Sequence, residues 1–370
     1  MHPHHDDPFY RPERRIRHLQ MASLLTTSFS PSGEARDLVI ACRGSVSEGL
    51  GHLYRAQTFA LQAQKRHRVA VVARTDAEFS SIFDGLEHPV VLAADDEELA
   101  LLVCQQPRDV VVFDMVDIDG SAFADIRRKI PVAASISPVF RHAAETDLFF
   151  TRGNPPAGLI GPSVFAGLDY TILNSRCEPI PDPRFQSAVA QSVLPIMISF
   201  GGADADNHSR LVLEVLREVD RPLLLWIMLG DGYLHSHDEL IEAIRMSKRH
   251  EIILARTNRS MWSVAANCAL AVLSSGLSTI EAIYAGLPVI SMHRLNDPSR
   301  QIETAYDRLC VSGGSFADGS FWQLKPLIEA LYDDRGRLTA MRNSQSHLID
   351  GRGTERVLQA IEDHLAARRA

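Results

Sequence analysis

From Asp37 onward, short uninterrupted apolar runs alternate with stretches of helical length. The runs are Leu38–Cys42, Val69–Ala73, Pro89–Leu92, Asp109–Phe113 and Pro131–Ala134. None alternates cleanly between apolar and polar residues, as expected of parallel strands buried on both faces. A helix is predicted between the first two, over Leu53–Lys65, and such alternation builds βαβ units. Proline and glycine then crowd Gly153–Pro156, Gly161–Pro162 and Pro179–Pro183, marking an interdomain connection. The alternation restarts with a strand at Pro195–Phe200, a helix at Asn207–Val219 and a strand at Pro222–Met228. Ile252–Leu254, Leu270–Leu273 and Pro288–Ser291 continue it, and Thr354–Arg369 has a helical period. The predicted class is α/β with mostly parallel sheets in two similar halves. We divide the chain into an N-terminal arm (1–36), a first domain (37–165), a linker (166–192), a second domain (193–350) and a closing helix (351–370).

Composition narrows the function classes. The length of 370 residues exceeds a single ordinary core. With 45% apolar and 23% charged residues the chain is globular, not disordered. A net charge of −8 argues against a nucleic-acid platform, so an anionic ligand must be met by local devices such as helix N-termini. The five cysteines are scattered and odd in number, which fits a reducing cytoplasm and neither a zinc site nor a disulfide framework. No apolar run approaches the roughly 18 residues of a membrane span, and the first residues lack a signal-peptide core. The arm, with its early histidines and Arg11–Arg17 stretch, is expected to be a flexible, solvated tail.

Three strand-to-helix turns carry the candidate chemistry. After the first strand comes Gly49-Leu-Gly51-His52, followed by Arg55. Its glycines permit close backbone approach, and His52 falls at a helix N-terminus on the usual ligand edge of such sheets. A surface turn with a capping histidine is the bland alternative. The second turn, Ser199–Asn207, contains Gly201 and Gly202, which can admit a phosphate or simply make a tight turn. The third, Ser274–Glu281, offers donors at Ser275, Gly276, Ser278 and Thr279, with Glu281 placed to accept both hydroxyls of a ribose. Ser278 and Glu281 also have the spacing of a helix capping box. After the next strand, Arg294 and Arg300 are candidates for an anion, and Asn296 or Gln301 for a sugar hydroxyl.

Taken in order, GxGHxxR, SFGGxDxxN and SxGxSTxxEAxxxGxP resemble the PseG/SpsG-type UDP-sugar hydrolases of the pseudaminic acid and spore-coat polysaccharide pathways, relatives of MurG in the GT-B superfamily. Gly161–Tyr170 resembles that family's Gly-Pro…Tyr stretch, and the likeness covers roughly residues 38 to 310. It implies two facing Rossmann-like domains, with nucleotide held mainly by the second and His52 in the place of the catalytic histidine. The implied reaction is removal of UDP from a diacetamido-trideoxyhexose by water attacking the anomeric carbon. Asp114-Met115-Val116 stands where the family has Asp-His-Tyr, and Asn296 and Gln301 are separated where the family has an adjacent pair.

The expected partner is therefore a nucleotide sugar, most readily a UDP sugar, with Gly49, Gly51, Arg55, Asp114, Asn296 and Gln301 on the sugar side. No cofactor, metal ion or nucleic acid is expected, and a monomer or weak dimer is. An inverting glycosyltransferase using His52 as base, and a nucleotide-sugar binding protein without activity, stand as alternatives. A dinucleotide enzyme is disfavoured, because no GxGxxG with a downstream ribose-binding acid occurs.

Overall fold

The apolar runs become strands of two parallel sheets in a computed structural model that describes residues 35–105, 107–256, 261–293, 309–345 and 347–369. The arm lies outside the described residues. The first sheet comprises β1 (Asp37–Arg43), β2 (Arg68–Arg74), β3 (Val91–Ala93), β4 (Val110–Asp114), β5 (Val132–Ser135), β6 (Leu148–Thr151) and β7 (Ser163–Ala166). Their order is β3-β2-β1-β4-β5-β6-β7, all parallel. Helices α1 (Gly51–Ala63), α2 (Asp96–Val103) and α3 (Gly120–Lys129) make crossovers of this lobe. Asp95 caps α2 by accepting from Glu98 N–H, and Asp119 caps α3.

After the connection, α4 (Asp182–Val189) leads into β8 (Leu194–Ser199). The second sheet continues through β9 (Leu223–Leu229), β10 (Glu251–Arg256), β11 (Leu270–Ser274), β12 (Val289–His293) and β13 (Val311–Ser315). Its order is β10-β9-β8-β11-β12-β13, again parallel. Helices α5 (His208–Arg217), α6 (His237–Met246), α7 (Met261–Ala265) and α8 (Leu277–Ala285) belong to this lobe. Counted within each lobe, the first six strands lie in the order 3-2-1-4-5-6 of a doubly wound fold. The switch points fall between β1 and β4 and between β8 and β11, where a crevice must open at the carboxyl ends of the strands.

Packing divides the chain less simply than its order does. One face of the first sheet (Ile40, Val112, Phe150) is covered by α1 and by Val357, Leu358 and Ile361 of the C-terminal helix Gly353–Ala367. The chain thus returns to its first lobe after completing the second. Phe185 of α4 is fully buried in the second core, beside Ile196, Leu213 and Val272. Between the lobes, Leu173 and Ile280 form a small cluster against Val139 and Leu168. Strands β6, β7 and β13 were not anticipated from sequence. Among the described residues no helix is long and apolar enough to cross a membrane.

Candidate active site

The first turn is built to present one imidazole. Gly49 adopts φ +88°, a left-handed value that favours glycine, and its N–H closes the turn on Ser45 O at 2.8 Å. Helix α1 then begins at Gly51 with no side-chain cap. Strand pairing sets Cys42 of β1 beside Asp114 of β4, so the last residue of β4 lies under the start of α1. His52 Nδ1 is 2.7 Å from Asp114 Oδ1, and Arg55 Nε donates to Asp114 Oδ2 at 2.9 Å. Arg55 Nη2 also donates to Oδ1.

These contacts fix the protonation pattern. Burial alone would raise the Asp114 carboxyl, but the Arg55 charge and the His52 hydrogen bond outweigh it and hold it below the usual carboxylate range. An ionised carboxylate only accepts, so His52 Nδ1 carries a proton in this contact, and in the neutral ring Nε2 is the acceptor. The 2.9 Å approach of Arg55 Nη2 to Nδ1 then sets donor beside donor, with both bonded to Oδ1.

In the second lobe, the turn after β8 is fixed by Asp204 and Asn207, both in the left-handed region at φ +45° and +54°. Asp204 accepts from the N–H groups of His208 and Ser209 at 2.8 and 2.9 Å, holding the start of α5. Burial raises its carboxyl despite those bonds. Gly201 takes φ +89° in the turn. Gly202 has a different use: a Cβ there would sit 2.9 Å from Leu50 Cβ in the opposite lobe. Leu50 is fully buried in this contact, which Gly230 and Gly232 flank from β9's end. A side chain at Gly202 is thus excluded by a leucine of the facing lobe, while the glycine itself still lines the cleft. Tyr54 spans the lobes nearby, donating to Asp231 Oδ2 at 2.8 Å, and burial followed by that acidic partner raises its phenol.

The third turn opens α8. Its N-cap is Gly276 and no side chain caps it, so Ser278 lies inside the helix and the capping box does not form. Ser275 Oγ bonds Ser291 Oγ at 2.8 Å, and Thr279 Oγ1 donates to Ser274 O at 3.1 Å. Those hydroxyls are spent inside the protein, leaving the amides that begin the helix to face the cleft. Glu281 accepts from Asn174 N–H at 2.8 Å. Burial pushes its carboxyl up to about 7, moderated by that bond and by the charge of Arg152.

All three turns line one cleft of about 1250 Å³ between the lobes. His52, Gly49, Gly51 and Arg55 face it from the first lobe, and Gly201, Gly202, Ser275, Gly276, Ser278 and Glu281 from the second. Asp114 and Thr279 lie behind the wall, fully buried. Asp114, expected at the sugar, is instead occupied by His52 and Arg55, and Arg55 is likewise committed to Asp114. Asn296 and Gln301, with Arg294 and Arg300, lie outside the described residues. Asp204 was marked by sequence only as a position of the SFGGxDxxN motif, without the helix-starting role that an acid before a helix signals. Sequence reasoning overlooked Asn174, Arg152 and Arg176, which no motif marked.

Two doubly wound lobes with a shared cleft at both switch points constitute the GT-B arrangement. The same fold occurs in MurG of Acinetobacter baumannii, at a TM-score of 0.60 with 15% identity, covering 88% of this chain and 99% of that one. Anabaena Alr3699/HepE in complex with UDP and glucose also shares it, at a TM-score of 0.54 with 15% identity over 88% of this chain and 100% of that one. In sequence, the chain is similar to the spore coat polysaccharide biosynthesis protein SpsG of Bacillus subtilis, 20% identical over 86% of this chain and 96% of SpsG. It is also similar to the uncharacterized protein MJ1062 of Methanocaldococcus jannaschii, 23% identical over 73% of this chain. The chain spans only 58% of that protein's length. No protein-family model matches.

Proposed function

We propose that this protein is an enzyme that cleaves a nucleoside-diphosphate sugar, with UDP as leaving group and His52 as general base. The observation that carries the reading is the Asp114–His52 pair, 2.7 Å apart, at the first switch point of a cleft whose other wall is the uncapped start of α8. Water oxygen bonds to the anomeric carbon while the bond from that carbon to the diphosphate oxygen breaks. The electron pair leaves on the diphosphate, and the water proton passes to His52 Nε2. Asp114 holds the ring and offsets the charge formed on it. The α8 amides meet the diphosphate, where their partial positive charge matches the negative charge that grows there. Glu281 is placed to accept from the ribose.

MurG and HepE, the latter crystallised with UDP and glucose, support nucleotide-sugar chemistry through their fold, and SpsG supports a place in polysaccharide synthesis. A transferase is the second reading, since a sugar hydroxyl can replace water at the same base. It is favoured by Val116, an apolar residue at the cleft beside His52's partner Asp114. The test is purified protein with a panel of UDP sugars and no acceptor. Free sugar and UDP released over many turnovers support hydrolysis. Release only when cell extract supplies an acceptor makes the protein a transferase. Binding without release under either condition rejects both.

A further inference from the structure

The cleft has several arginines, and most are committed. Arg43 donates to Glu48, Arg55 to Asp114 and Arg141 to Asp117. Arg152 differs from these. It follows β6 directly, in a turn fixed by Gly153 N–H donating to Thr151 Oγ1 at 3.2 Å, and its side chain lines the cleft. Its Nε is buried without a hydrogen-bond partner, and among the described residues no carboxylate pairs with its guanidinium. A buried, unused charged donor is costly unless a ligand completes it.

We propose that Arg152 is the first-lobe half of the diphosphate site, closing on phosphate oxygens held at the N-terminus of α8. This rests on the nucleotide-sugar reading above and adds to it a residue that no motif marked. Two features favour an anion of more than one charge. A guanidinium presents paired N–H donors that match phosphate oxygens, and the α8 amides approach from the facing wall. Glu281 also lines this cleft, and a carboxylate near a diphosphate repels it unless a cation lies within reach of both. The charge of Arg152 already acts on the Glu281 carboxyl. A protein with a net charge of −8 thus meets an anion with a local arginine and one helix end.

The test compares the full chain with Arg152→Met and Arg152→Lys for binding of uridine, UDP and inorganic pyrophosphate. Arg152→Met is expected to weaken UDP by about 10- to 100-fold, the worth of a charge-assisted pair, and pyrophosphate similarly, with uridine unchanged. Arg152→Lys should recover part of the loss. Equal weakening of uridine and UDP would mean that Arg152 acts only through Glu281, which overturns the proposal, as does an unaltered UDP affinity. Should the wild type bind pyrophosphate through Arg152 but neither uridine nor UDP, the nucleotide reading fails and the anion site stands. Failure of the wild type to bind any of the three rejects both.

Discussion

In the proposed mechanism Asp114 decides which nitrogen of His52 reacts, so the two residues have separable roles. His52→Asn should lower turnover by roughly 10²–10⁴-fold with melting nearly unchanged, measured by UDP release and calorimetry. Unaltered turnover in a folded variant removes His52 from the mechanism. Glu281 gives a prediction of opposite kind. Its carboxyl is raised to about 7 in the fold, so between its unfolded value and 7 the native state holds the proton more tightly. Its stabilising contribution is complete below about pH 4 and is lost as pH rises through 7, up to about 3 kcal/mol. Glu281→Gln should therefore melt higher than the wild type at pH 8 and equally at pH 4.5. It should also bind UDP more weakly, because an amide accepts less well from ribose hydroxyls. A lower melting temperature at pH 8 would show that the ionised carboxylate is structurally required.

At the scale of elements, the inner strands other than β6 were legible because parallel strands buried on both faces read as unbroken apolar runs, as in Leu38–Cys42 and Leu270–Leu273. β13 escaped because its sequence is Val-Ser-Gly-Gly-Ser, and β7 because it is an exposed edge strand among turn residues. The GxGH turn was legible as a strand-to-helix turn, and it faces the cleft, whereas Asp114, expected on the sugar side, lies buried behind it. Burial at a strand end depends on which strand lies alongside, and local sequence does not encode that. Gly202 shows the same limit: no local signal says that the partner of a glycine lies in another lobe. Its backbone is not in the left-handed region, so space alone excludes a side chain. Gly202→Ala should lower both melting temperature and turnover, and a second change, Leu50→Ala, should recover part of each. Additive losses in the double variant would deny the contact.

For the whole molecule, the candidate site is lined by residues of both lobes. A fragment covering residues 178–350, which retains α4 and its Phe185, should bind UDP at least about 10-fold more weakly than the full chain, for want of Arg152. Equal affinity by calorimetry would place the whole site in the second lobe. The return of the C-terminal helix to the first core also bears on biosynthesis. The second lobe has all its strands before Gly353 emerges from the ribosome, whereas the first waits with Ile40, Val112 and Phe150 only partly covered. At about 5–20 residues per second, that wait lasts roughly ten to forty seconds after β7 has been made. A nascent chain halted just before Gly353 should be cut by protease in the first lobe and spared in the second. The lobe that begins first is the one that finishes last.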